Sequence, residues 1–327
     1  MNWRNRNVFV TGGNGFLGSY VVRELLNAGA RVTCLIRESI PGSRFHVDGL
    51  DRFDHVTCVS GALEDFDLLC RVLVDQEIDT VFHLAAKPIV GEAIRDPLPS
   101  LEANIRGTYY LLEAARRWGK LRAFPLITSD KVFGESERLP YQETDPLLGA
   151  APYDASKVCA DVMAQCYAKT YAMPIGVMRA GNFFGPGDMQ WSRIIPGTIR
   201  KLLSGERPVI RSDGTLLRDY LYVEDAARGM IALGVALDRR EVRGEVFNFG
   251  TGTPTSVLDL VKMLIVRSKT PEMEPVIENR AAHEIQAQYL DSSKAWDMLR
   301  WKATTTLEQG LDVTWAWYER FFGGSQT

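Results

Sequence analysis

An open, doubly wound parallel α/β sheet with a smaller C-terminal α/β lobe is the architecture this sequence predicts, on three observations. Short apolar runs alternate with segments whose apolar residues recur at helical spacing. A glycine-rich turn, TGGNGFLG, joins the first apolar run to the first helical segment. The pattern loosens after Gly176 without a low-complexity linker, as expected for a second lobe packed directly on the first.

The elements follow in order. NVFVTGG is a short strand, and GSYVVRELLNAG is a helix stopped near Gly29. RVTCLIR and HVTCVSG are strands, followed by a helix around FDLLCRVLVDQE and the strand TVFHLAA. A single helix is expected over SLEANIRGTYYLLEAARRWG, then the strand FPLITS and a helix from about Tyr153 to Tyr171. Near-continuous apolar strands joined by helices imply a parallel sheet covered on both faces, with ligands beyond the carboxyl ends of its strands. GNFFGPGDMQWSRIIPG reads as loop, GTIRKLLSG as helix, and DYLYVEDAARGMIALGVAL as strand then helix. Residues 1–178 with about 215–240 are assigned to the dinucleotide-binding domain, and 179–214 with 241–327 to a substrate-binding lobe.

The 327 residues carry a net charge of −3, 46% hydrophobic and 24% charged residues, values of a soluble globular chain with no basic footprint for nucleic acid. No apolar run reaches the ~18 residues of a membrane span. The polar lead MNWRNRN enters a strand directly, leaving no room for a signal peptide. Five scattered cysteines without Cys-x-x-Cys spacing are expected to be reduced, mostly small core residues, in a cytoplasmic protein. No cluster with ligand spacing suggests a metal.

Chemistry concentrates at three places. Gly12, Gly15 and Gly18 allow a tight turn and close approach of a pyrophosphate, which the helix N-terminus at Phe16 and Leu17 faces. At the end of the second strand, Arg37 suits a 2′-phosphate and Glu38 a free 2′-hydroxyl, so NAD and NADP both remain open, with a lean to NADP. Tyr153 and Lys157, four apart, share one helix face. A nearby ammonium and a positive nicotinamide ring are expected to lower the tyrosine's pKa from about 10. The third place is the end of FPLITS, where Asp130 and Lys131 are either a surface ion pair or an acid and a base.

TGGNGFLG, FHLAA, EANIRGTYYLLEA, TSDKVFGE, PYDASK, RAGNFFGPGD and RDYLYVEDAARG together resemble the extended short-chain dehydrogenase/reductases acting on nucleotide sugars, from about Asn7 to beyond Gly252. The resemblance implies a Rossmann-like fold and a tightly bound, recycled NAD or NADP contacted also by Leu84, Ala85 and Ala86. Ser129, Tyr153 and Lys157 would be the catalytic set: Tyr153 takes the proton of the sugar 4-hydroxyl while C4 gives hydride to the nicotinamide, and Ser129 hydrogen-bonds the reacting oxygen. One departure is Gly61-Ala62, where the family usually has Gly-Asp. TSDK resembles the Asp-Lys version of CDP-glucose 4,6-dehydratases, with GDP-mannose dehydratases next by TCLIRES. On that reading Lys131 removes the C5 proton, Asp130 protonates the departing C6 oxygen, and each works in its neutral form, which burial favours. Arg179, Asn182, Arg193 and Arg218, read as loop residues after the cleft, are either diphosphate ligands or surface and structural residues. Lys87 would face sugar or cofactor, and His83 is a satisfied core histidine. A homodimer through helices at about 100–118 and 153–171 is implied. A 4-epimerase and a non-enzymatic dinucleotide sensor are the alternatives.

Overall fold

The computed structural model describes residues 3–40, 42–280 and 284–323. Its strands are β1 (Asn7–Thr11), β2 (Arg31–Ile36), β3 (Val56–Ser60), β4 (Thr80–His83), β5 (Phe124–Ile127), β6 (Ile175–Ala180) and β7 (Asn182–Phe184). There follow β8 (Val209–Ile210), β9 (Leu217–Tyr222), β10 (Val246–Phe249), β11 (Pro254–Ser256), β12 (Val276–Ile277) and β13 (Ala287–Gln288). A seven-stranded parallel sheet has the order β10-β6-β5-β4-β1-β2-β3. Chain direction across it reverses between β1 and β4, whose outgoing loops part and open a crevice at their carboxyl ends.

Alternation along β1 builds two cores. Val8 and Val10 point to one face and pack with the helices Phe16–Asn27 and Val223–Ala236. Phe9 points to the other, against Phe66–Asp75, Gly107–Trp118 and Pro152–Tyr171. Both faces of the central strands are therefore covered and these are buried along nearly their whole length, whereas the edge strand β3 is largely exposed. In the smaller lobe β9 pairs with β7, β11 and β13. Phe184, Ile199, Tyr220, Leu260 and Trp315 belong to its separate core, over which the helices Ile194–Leu203, Val257–Val266 and Leu307–Gly323 lie.

Several expectations need correcting. Val246–Phe249, assigned to the lobe, is a fully buried run that completes the main sheet beside β6, Val246 opposite Val177. Leu217–Tyr222, assigned to the first domain, lies in the small sheet, and only the helix after it returns to the main one. The stretch read as loop after Ala180 contains β7. The helix expected over 100–119 is Leu98–Leu101, a π-helical turn Glu102–Arg106, and Gly107–Trp118. Such turns insert an extra residue and concentrate at functional sites. Of the five cysteines, all free, only Cys34 is buried; small size admits the others to the core but their positions face outward or sit half-covered. Among the described residues no helix is long and apolar enough to cross a membrane.

Candidate active site

The glycine turn is shaped by contacts that exclude a Cβ. Gly12 is left-handed at φ +73°, and a Cβ there would lie 2.8 Å from the Ala85 amide nitrogen. A Cβ on Gly18 would lie 1.9 Å from the Gly12 carbonyl oxygen, so the helix can start against the turn only with glycine there. The Gly15 amide donates to the Gly12 carbonyl, and the first helical bond runs from Ser19 to Gly15. The amides of Phe16 and Leu17 lie in that unpaired first turn, at the positive end of the helix dipole. Leu84, Ala85 and Ala86 leave β4 beside Gly12, held by bonds from the Leu84 and Ala85 amides to Thr11. This backbone cradle fits a pyrophosphate. Across it, Asn14 ties the turn to the Glu38 carbonyl, while Arg37 pairs with Glu38 at 3.3 Å, both exposed.

The helix Pro152–Tyr171 begins with Pro at its first turn and buries Tyr153, Ser156, Lys157, Ala160, Asp161, Ala164 and Ala168, a stripe at helical spacing. Tyr153 and Lys157 are therefore brought to one buried face, as their separation requires. Lys157 Nζ donates to the Ile127 carbonyl at the end of β5, and burial lowers its pKa to about 8. For Tyr153 the chain's own groups act in the other direction. Burial, and next the Asp130 carboxylate, push its pKa up, against smaller opposing effects of the Ser129 hydroxyl and Arg193. The chain's own groups hold it as the neutral phenol, because water exclusion outweighs the nearby positive charge.

At the end of β5, Ser129 is the N-cap of a 3₁₀ turn, Asp130–Phe133, accepting a bond from the Lys131 amide. The two charged side chains of the turn take different partners. Asp130 is buried; its Oδ1 accepts from Ser129 Oγ at 2.9 Å, and its Oδ2 has no partner. Lys131 is half-buried, and its Nζ donates to Gln288 Oε1 at 2.9 Å. They are not a solvent-exposed ion pair. Val132, Phe133, Tyr141 and Leu290 anchor the turn in a small core, with Phe133 stacked on Tyr141 at 4.7 Å.

The remaining predicted residues are dispersed. Arg179 lies in β6, not in a loop, and binds Asp161 through two buried bonds of 2.8 and 2.9 Å; it is occupied in the core rather than free for a ligand. Asn182 sits in β7 with its Nδ2 buried and unpartnered, a donor suited to a ligand oxygen. Arg193 stands at the N-cap position of the helix Ile194–Leu203 without a side-chain cap bond and pairs with buried Asp188, yet its charge reaches Tyr153. Arg218, on β9, is mostly buried and pairs with Glu284. Lys87 is half-buried beyond β4, its amide bonded to Asn104 Oδ1. His83 is fully partnered, by Thr11 at 2.8 Å and Thr108 at 2.9 Å, and burial drives its pKa down to about 3.

Sequence reasoning missed four residues. Asn104, in the π-helical turn, grips the Lys87 backbone and donates to Ser156 Oγ, clamping the β4 loop to the Tyr153 helix. Asp161 gathers Thr128 and Arg179 beneath the site. Gln288 holds Lys131 from the other lobe. Asp154 is buried with an unpartnered Oδ1. Helical spacing signals Asp161, four beyond Lys157; Gln288 leaves no local sign, being brought in by strand pairing.

The model of the family described as GDP-mannose 4,6 dehydratase matches residues 9–314. A dTDP-glucose 4,6-dehydratase of Streptomyces antibioticus is 32% identical over 95% of this chain and 92% of its own. The chain also matches trifunctional UDP-glucose 4,6-dehydratase/epimerase/reductases of Arabidopsis thaliana, of whose length it spans about half. Among solved structures, UDP-glucose 4-epimerase of Thermotoga maritima with UDP-glucose superposes with TM-score 0.88, at 28% identity over 96% of this chain and 99% of the other. A dTDP-glucose 4,6-dehydratase of Streptomyces venezuelae with NAD bound gives 0.87 and 28%, over 97% and 98%.

Proposed function

This chain belongs to the GDP-mannose 4,6-dehydratase family, and we propose that it converts a nucleoside-diphosphate hexose, CDP-glucose first, to the 4-keto-6-deoxy sugar. One observation carries the reading: an acid and a base, Asp130 and Lys131, directly follow Ser129 at the end of β5, where Ser129 and Asp130 both act on Tyr153, and neither is paired with the other. CDP is favoured by the likeness of Asp130-Lys131 to the CDP-glucose enzymes. The family's description names GDP and the relatives' names dTDP and UDP, so all four enter the test.

The glycine cradle fits a nicotinamide dinucleotide, which when bound would accept hydride from C4 and return it at C6. With the positive charge of a bound nicotinamide ring and the Lys157 ammonium favouring its phenolate over the neutral phenol, Tyr153 takes the 4-hydroxyl proton, and Ser129 hydrogen-bonds that oxygen. With C4 a ketone, the C5 proton is acidic. Lys131 removes it, and Asp130 protonates the C6 oxygen, which departs as water. Asn182, Arg193, Arg218 and Lys87 are proposed for the nucleotide sugar; binding would require Arg193 and Arg218 to share or exchange their carboxylates. NAD and NADP both suit the Arg37–Glu38 strand end, and the NAD in the Streptomyces venezuelae relative lends NADP no support.

Mass spectrometry of the protein with CDP-glucose, GDP-mannose, dTDP-glucose and UDP-glucose, with either cofactor, tests this. Loss of one water from a single substrate is expected. A 4-epimerase is the second reading, favoured by the Thermotoga maritima match and by the partners Asp130 and Lys131 have within the chain. An isomer of unchanged mass would select it.

A further inference from the structure

Asp154 has no part in the chemistry above, yet its surroundings are unusual for a carboxylate. It follows Tyr153 in the first helical turn, is 6% exposed, and leaves Oδ1 buried without a hydrogen-bond partner. A polar atom in that state carries the full cost of its lost hydration. The same side chain lines a cleft of about 430 Å³ open to solvent, between Gly134–Glu135, Leu148 and Ile285. The Lys131 carbonyl of the Asp130–Phe133 turn and the Asp154 side chain both stand against Gly149. Gly149 permits that approach, since a Cβ there would lie 3.0 Å from Asp154 Cβ and 2.7 Å from the Lys131 carbonyl oxygen. Burial raises the Asp154 pKa to about 6, with Lys131 opposing and Asp130 adding. A carboxyl group at that value can both give and take a proton near neutrality.

We propose that Asp154 is the proton-exchange group of this site, passing protons between Lys131 and the solvent of the cleft. The inference rests on the dehydratase reading, in which Lys131 takes the C5 proton. Lys131 Nζ is bonded to Gln288 and Asp154 Oδ1 is unpartnered, so on this proposal the proton passes between them through solvent. An N–H bond of the Lys131 ammonium breaks, an O–H bond forms on the Asp154 carboxylate, and the resulting acid releases its proton to cleft water. The reverse sequence recharges Lys131 before C5 is protonated again. Protons alone move, and no oxidant or reductant is needed. Without Asp154, the Lys131 ammonium would keep the substrate's proton among its three N–H positions and return a share of it.

Isotope washout reads this directly. CDP-glucose deuterated at C5, or whichever of the four nucleotide sugars loses water, is turned over in ordinary water and the product's C5 deuterium measured by mass spectrometry. The wild type is expected to wash most of it out. Asp154→Asn should retain at least about threefold more, with kcat reduced about tenfold and KM little changed, and Asp154→Glu should restore washout. Melting temperature checks each variant, and Asp154→Ser carries the test if the amide does not fold. Equal washout in wild type and Asp154→Asn or Asp154→Ser overturns the inference while leaving the dehydratase intact. A wild type that dehydrates none of the four sugars defeats the dehydratase reading itself.

Discussion

At the β1 end of the crevice the binding surface is backbone; at the β5 end it is side chains. The first is made by Gly12, Gly15 and Gly18 within seven residues, and its tolerances come from forbidden Cβ positions. The second collects Ser129, Asp130 and Lys131 from one loop, Tyr153 and Asp154 from a helix, and Gln288 from the other lobe. A backbone site fails through sterics and folding, whereas a side-chain site loses chemistry and keeps its shape. That contrast can be broken by experiment.

The largest effect belongs to the β5 end. Tyr153→Phe keeps the buried ring and removes the hydroxyl, so kcat should fall by about 10²–10⁴ with little change in melting temperature. A drop in melting comparable with a core truncation would show the hydroxyl to be structural. Beneath the same site, Asp161→Asn leaves the Arg179 guanidinium buried and uncompensated, and should cost about 3–5 kcal/mol in urea unfolding. At the β1 end, Gly18→Ala places a Cβ 1.9 Å from the Gly12 carbonyl oxygen, which backbone must yield to. Stability should drop by about 1–3 kcal/mol, and dinucleotide affinity, read by calorimetry, should fall with it. Normal stability and affinity together would mean the turn is not the rigid cradle described.

A pH experiment sharpens the side-chain half. Burial lowers Lys157 from its ordinary 10.5 to about 8, so between these values the unfolded chain holds a proton the native protein has released. Burying the ammonium therefore penalises the native state fully below pH 8, and the penalty lifts as pH rises from about 8 to 10.5. Lys157→Met has no such titration. Its unfolding free energy relative to wild type should move in the wild type's favour between pH 7 and pH 10; a constant difference would place Lys157 in contact with water. The smallest effect is at Arg37, whose pair with Glu38 is exposed. Arg37→Ala should change stability by less than about 0.5 kcal/mol, and any larger loss of NADP than of NAD binding would assign the side chain to a 2′-phosphate.

The same contrast explains what was legible in the sequence. Glycine spacing encodes a backbone site locally, so TGGNGFLG specifies its own geometry, and Tyr153 and Lys157 meet because a helix repeats every 3.6 residues. Asp130 and Lys131 could be located at a strand end, but not their separate partners. Those follow from the Ser129 cap and from Gln288, more than 150 residues away, whose approach depends on β13 pairing with β9. Arg179 stays ambiguous in the sequence because a guanidinium at a strand end looks the same whether a ligand or Asp161 receives it. Val246–Phe249 was misassigned for a related reason: a short buried run does not declare which sheet it joins.

The chain passes back and forth between its two sheets, leaving the main one after β6, returning with Val223–Ala236, and adding β10 only after β9 is in place in the other. A fragment ending at Ala180 would contain the complete glycine cradle and the Tyr153 helix. It would also lack the strand that covers the edge of β6 and the helix that seals Val8 and Val10. Such a piece would present an unpaired edge beside bare apolar surface, the combination that recruits further chains into aggregates. Trimming the molecule to its recognisable motif would remove the parts that keep that motif soluble.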